Sequence, residues 1–191
     1  MSFFDDTKNA GMILLIIALL GIIFTAIAAF AFDPYKDADM WKKIVMIVGA
    51  VIGGAVFLIV GMGIMKGSCM IQIGNLFSDV SSKFGVVVAI TAAYGLAEIV
   101  NGVFTIIGFG GASAIAPIVI GVLFILLAWL LATGESDARK IVWIILLILF
   151  IIYLVISIFA ALVLVGIPDL LLSIFLVTYL LSPEVKGKCG M

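Results

Sequence analysis

Residues 85–109, GVVVAITAAYGLAEIVNGVFTIIGF, decide how this chain is read. The run is apolar from end to end except for Thr91, Tyr94, Glu98, Asn101 and Thr105, which recur at spacings of 3, 4, 3 and 4. That period stacks them on one face of an α-helix. A run longer than about 20 residues with almost no charge is long enough to cross a bilayer. Glu98 lies near its middle and is the only ionisable side chain deep in any of the long apolar runs. A charged group costs several kcal/mol in hydrocarbon, so such residues face a bundle interior or a water-filled cavity and mark function by default. The stripe Thr91, Tyr94, Glu98, Asn101 and Thr105 is therefore the candidate ion or partner site.

The rest of the sequence has the same character. Hydrophobic residues make up 66% and charged residues 11% of the 191, whereas soluble domains are about half apolar and about a quarter charged. The expected class is an all-α membrane protein forming a single polytopic domain over 1–191. Net charge is −1 and no basic block occurs, so nucleic acid is not an expected partner. With no His, the commonest metal ligand and general base is missing. Cys69 and Cys189 are the only cysteines and lack metal-ligand spacing. Neither a metal nor a cofactor is expected, and no catalytic residue can be named. Gly108-Phe109-Gly110-Gly111 reads as a tight turn, because no Walker-type Lys and Ser/Thr follow it. Ala29-Phe30-Ala31 fits a small-x-small cleavage pattern, but Asp5 and Asp6 and the long apolar run disfavour a signal peptide.

Spans are expected at about 12–32, 44–65, 85–109, 114–133, 141–165 and 167–182, giving a six-transmembrane-helix bundle. The last run is short, so five spans are the alternative. With six, Lys8, Lys66, Lys83, Arg139, Lys140, Lys186 and Lys188 share one side, and Lys36, Lys42 and Lys43 the other. The positive-inside rule then places both termini in the cytoplasm, most simply of a cell membrane. Trp41, Trp129, Trp143 and Tyr179 fall near span ends, where aromatic belts form. Between the second and third spans, Met70, Ile73, Phe77, Val80 and Phe84 recur at helical spacing. This predicts a short interfacial amphipathic helix at about 69–84, or a short helix packed under the bundle.

Membrane helices associate through close approach at small residues. Ala18, Gly21, Thr25 and Ala28 form one stripe on the first span, and Gly49, Gly53, Gly54 and Gly61 mark the second. These glycines predict a close contact between the two. The fifth span has only Ser157 and Tyr153 to break its apolar run and is expected at the lipid-facing edge.

Candidate partners for Glu98 are Thr25, Ser157, Thr178, Tyr179 and Asp169. Asp169 follows Pro168 at the start of the last span, a pattern typical of helix capping. Asp33, Asp37 and Asp39 read as a solvated loop. Short loops and the lack of gathered chemistry point first to a non-enzymatic membrane protein. It is expected to act as an accessory or scaffold subunit, with the lipid bilayer and other membrane subunits or its own copies as partners. The alternative is a small ion, proton or solute transporter or channel component that uses the stripe. What Glu98 faces separates the two.

Overall fold

The computed structural model describes residues 6–31, 35–70, 73, 75–111, 115–161 and 166–191. Among them are seven helices and no strand: α1 (Thr7–Ala31), α2 (Met40–Lys66), α3 (Lys83–Phe109), α4 (Ile115–Thr133), α5 (Ser136–Ala161), α6 (Ile167–Leu180) and α7 (Pro183–Lys188). Five of them, α1 to α5, are long and apolar enough to cross a membrane. At 14 residues α6 spans about 21 Å, less than the ~30 Å hydrocarbon core. It packs with the others as the sixth member of the bundle. Residues 32, 33, 114 and 165, which belong to the expected spans and loop, and Asp5 lie outside the described residues.

Consecutive helices pack side by side from α1 to α6, and α6 returns against α1. Helix α3 also touches α6, α7 and α1, which makes it the central helix. Its composition allows this. Ala and Gly recur along it, and 67% of its most apolar stretch is buried, against 28–33% in the other four long helices. Helix α3 starts at a Ser82 cap, whose hydroxyl accepts from the Gly85 N–H at 3.0 Å. Helix α2 ends on Gly67 in the left-handed region, at φ 72°, which glycine adopts without Cβ strain.

Helices α1 and α2 do pack closely, but not through all the expected glycines. A Cβ on Gly54 would sit 2.8 Å from Ile22, and one on Gly61 would sit 2.9 Å from the Gly11 carbonyl, both on α1. Gly49 and Gly53 face α3 instead, opposite Phe104 and Ala97. Gly21 has open space beside it. A second close approach joins α3 to α4. A Cβ on Gly95 would come within 2.6 Å of the Gly121 carbonyl, and Gly121 faces the Gly95 carbonyl in return.

Three further expectations change. Residues 75–82 form turns and bends and not the interfacial helix expected at about 69–84. Leu76, Phe77, Val80 and Phe84 are buried against the bundle while Met70 is 87% exposed. Burial of these side chains, not helical amphipathicity, holds the segment down. Second, Trp143 and Tyr179 are buried and not at an interfacial belt. The indole N–H of Trp143 donates to the Leu180 carbonyl at 2.8 Å and ties α5 to α6. Trp41 and Trp129 are exposed, as expected. Third, α5 presents Ile148, Ile152 and Phe159 outward, as an edge helix should, yet it buries Leu146 and Phe150 inside.

Candidate functional site

The five stripe residues share one face of α3, but the neighbours of that face change along its length. At the Lys83 end the face is sealed. Thr91 is fully buried, and its hydroxyl has no hydrogen-bond partner among the described residues. One turn on, Tyr94 is 6% exposed and sits among three rings from α4 and α5. It meets Phe124 edge-on at 4.9 Å, Tyr153 at 5.7 Å and Phe150 at 6.3 Å. Edge-to-face pairs at these distances are favourable because ring edges are positive and faces negative.

The Tyr94 hydroxyl is in hydrogen-bonding reach of both the Glu98 carboxyl and the Tyr153 hydroxyl. The Tyr94 hydroxyl has one proton to donate, and the Glu98 carboxyl and the Tyr153 oxygen are its two acceptors. The aromatic cluster thus fixes the phenol that orients Glu98.

From Glu98 onward the face is open. Glu98 and Asn101 line a cleft of about 200 Å³ between α1, α2, α3 and α6, roomy enough for several water molecules. Opposite them are Thr25, the small residues Ala18, Gly21, Ala50, Gly53 and Gly54, and Asp169. The glycines explain why the cleft exists. Gly54 lets α2 approach Ile22 of α1, while Gly21 and Gly53 leave nothing projecting toward Glu98. Asp169 stands in the first turn of α6, where a carboxylate is favoured by the helix dipole. It is not the cap, which is Gly166. It keeps accessible surface because it faces the cleft, and it is close enough for Glu98 to feel its charge.

A second cavity of about 400 Å³ continues from the first along the same face. The two share Thr25, Ala50 and Asn101. Thr105 lines the second cavity and donates to the Asn101 carbonyl at 2.7 Å within its own helix. At the far end Tyr35 meets Phe109 edge-on at 6.0 Å, and both rings line the cavity. Asn101 is therefore the hinge point between a carboxyl-bearing chamber and an outer one.

Of the expected stripe, Glu98, Asn101 and Thr105 line cavities and Thr91 does not. Tyr94 does both jobs, packing against rings and touching the cleft. Among the expected partners, Thr25 and Asp169 reach the cleft. Ser157 is buried away from it, and Thr178 donates to the Ile174 carbonyl of its own helix at 2.8 Å. Tyr179 stacks on Phe175 at 4.4 Å. The contact of Tyr153 with Tyr94 went unread in the sequence, where the available signal was a phenol in an otherwise apolar span.

The chemistry of the cleft is that of hard oxygen donors: two carboxyls, an amide, a phenol and a hydroxyl. No Lys or Arg lines it among the described residues. Such a set suits a proton or a hard cation. Among the described residues no three His, Cys, Asp or Glu side chains gather as for a bound metal. No protein-family model, curated protein or solved structure matches this chain.

Proposed function

We propose that this chain is a non-enzymatic integral membrane protein that binds a proton or a small monovalent cation between Glu98 and Asp169. On this reading it moves the cation along the cavity face of α3 as a small transporter or channel component. One observation carries the reading. Two carboxyl groups from different helices face one cleft with no basic side chain among the described residues to pair them. Buried charge without a partner is costly, and a mobile cation is the counterion such a site lacks. Tyr94 positions Glu98, and Asn101 and Thr25 supply the oxygens that link the cleft to the outer cavity. Tyr35 and Phe109 close its outer end.

The accessory or scaffold reading places the same groups against another subunit or a second copy of this chain. It needs a partner cation that reaches Glu98. In either case the lipid bilayer surrounds the outward apolar faces, and nucleic acid has no part.

The uneven distribution of Lys and Arg supports both termini in the cytoplasm of the cell membrane. The native thiols are poor topology probes, because Cys69 and Cys189 are free but buried. A cysteine introduced at exposed Glu135 or Asp37, with both native cysteines changed to Ser, reports each side. Glu135→Cys should resist an impermeant thiol reagent in intact cells and Asp37→Cys should react.

The test of function is flux. The purified protein in liposomes carrying a pH-sensitive or Na⁺-sensitive dye should pass one of the two ions. Glu98→Gln keeps the shape and the neutral hydrogen bonds but cannot titrate, so it should fold normally and abolish flux. Asp169→Asn should reduce it. Wild-type protein without flux of either ion overturns the proposal, and so does a Gln variant with full flux. Loss of a co-purifying subunit in the Gln variant, with no flux in the wild type, supports the accessory reading instead.

A further inference from the structure

A third cavity, of about 240 Å³, lies at the other end of α3, away from Glu98. The 75–79 turn, the start of α3, the end of α4, the start of α5 and Lys188 enclose it. Its polar lining is Asn75, Ser78, Asp79, Arg139 and Lys188.

The acid in this set is already used. Asp79 Oδ1 accepts from the Ser81 N–H, the Ser81 hydroxyl and the Ser82 N–H at 3.0–3.3 Å, and Oδ2 accepts from the Ser82 hydroxyl at 2.6 Å. Partial burial works to raise its pKa, but the hydrogen bonds from Ser82 and Ser81 outweigh that and hold the carboxyl below its ordinary range. It stays ionised and turned toward its own turn. Gly85 permits this, because a side chain there would collide with the Asp79 carbonyl.

The cations are not used. Of the five guanidinium N–H donors, Arg139 spends one, from Nη2 to the Ala132 carbonyl at 3.1 Å. Its Nε is buried with no partner among the described residues, and its Cζ lies 5.5 Å from the centroid of the Phe84 ring. The Lys188 ammonium makes no hydrogen bond or ion pair with another described residue. The lining therefore carries a net positive charge with donors to spare, over an apolar floor of Leu76, Phe84 and Val88.

We propose that this cavity binds a phosphate oxyanion, held by Arg139 and Lys188 with the Asn75 amide as a neutral donor, while the Ser78 hydroxyl is spent on the Asn75 carbonyl at 3.0 Å. An Arg beside a Lys is a common arrangement for phosphate recognition. The site lies where α3 and α5 begin and α4 ends, the level at which headgroups meet a bundle of this kind. The oxyanion is either the headgroup phosphate of an anionic lipid or a free phosphate.

Native mass spectrometry of the protein extracted from mixed phosphatidylglycerol and phosphatidylcholine nanodiscs distinguishes these sources. Thermal unfolding in detergent with and without inorganic phosphate forms the second arm. Preferential retention of phosphatidylglycerol, weakened roughly tenfold by Arg139→Gln or Lys188→Gln, supports the lipid source. Stabilisation by inorganic phosphate that both substitutions remove, without lipid preference, supports the free anion. Lys140→Gln is the control, since Lys140 is exposed beside Arg139 but does not line the cavity. Should Arg139→Gln fail to fold, Lys188→Gln decides alone, because Lys188 is exposed at the end of a short helix. Equal retention of both lipids with no effect of phosphate overturns the site, as does a Lys188→Gln variant indistinguishable from Lys140→Gln.

Discussion

The two sides of α3 are built from similar residues and do opposite things. Toward α4 and α5, Gly95 and Gly121 interlock and three aromatic rings close over Tyr94. Toward α1, α2 and α6, Gly21 faces open space, Gly53 stands at ordinary contact distance from Ala97 and Asn101, and two carboxyls and an amide look into the cleft. Glycine thus serves tight packing on one side and a cavity on the other. What decides is the facing residue. A glycine opposite a glycine draws two backbones together, whereas a glycine opposite Glu98 or Asn101 leaves room for water and a cation.

The largest expected effect tests whether the sealed side is where stability resides. Gly121→Leu should destabilise by about 3 kcal/mol or more, since its side chain must displace the α3 backbone. Gly53→Ala should stay within about 0.5 kcal/mol, because a Cβ there meets Ala97 and Asn101 at an ordinary 3.8 Å. Thermal unfolding in a mild detergent measures both, and equal losses break the comparison.

Next in size is the aromatic cluster. Phe150→Ala removes a buried ring beside Phe124 and Tyr94 and should cost about 3 kcal/mol. Its counterpart across the helix is Gly21→Val, which fills open space. That variant should unfold within a few degrees of the wild type yet slow liposome flux by narrowing the cleft. A Gly21→Val variant with unchanged flux would show that the cleft is not the path.

A smaller effect separates glue from ligand at Glu98. Glu98→Leu should loosen the bundle by about 1 kcal/mol for the lost bond to Tyr94, read from denaturant titration. Glu98→Gln should lose less than half of that while losing flux. If both variants are equally destabilised, charge at Glu98 is structural.

The smallest effect lies at Thr91. Its hydroxyl is buried without a partner among the described residues, and Val has nearly the same shape. Thr91→Val should therefore be neutral or stabilise by up to about 1 kcal/mol, with flux unchanged. A clear loss of stability would reveal a bond that the packing of α3 leaves unseen.

Much of the architecture was legible in one dimension because membrane-length helices follow from local composition. Five long apolar runs become α1 to α5, and the 3, 4, 3, 4 stripe lies on one face of α3 as the helical period requires. Helix α7 was not legible. Six residues around a Gly carry no period, and their place is set by Val185 and Cys189 burying against the bundle. The amphipathic spacing of 70–84 misled for a related reason. A 3, 4 pattern states which side chains want burial, and a chain of turns pinned by Asp79 and the Ser82 cap buries most of them without helical backbone.

The sequence by itself determined that Glu98 would lie in a helix interior among polar neighbours, since period and hydropathy are properties of the local chain. It also marked the glycines as contact points without saying which helix each would meet. Only the tertiary structure decided that Gly49 and Gly53 turn to α3 and not α1, that Tyr153 and Asp169 complete the surroundings of Glu98, and that the stripe passes from a sealed half to an open one. Those outcomes depend on the rotation of each helix about its axis. That rotation is fixed by the sum of contacts with all neighbours at once, and no single segment of sequence contains it.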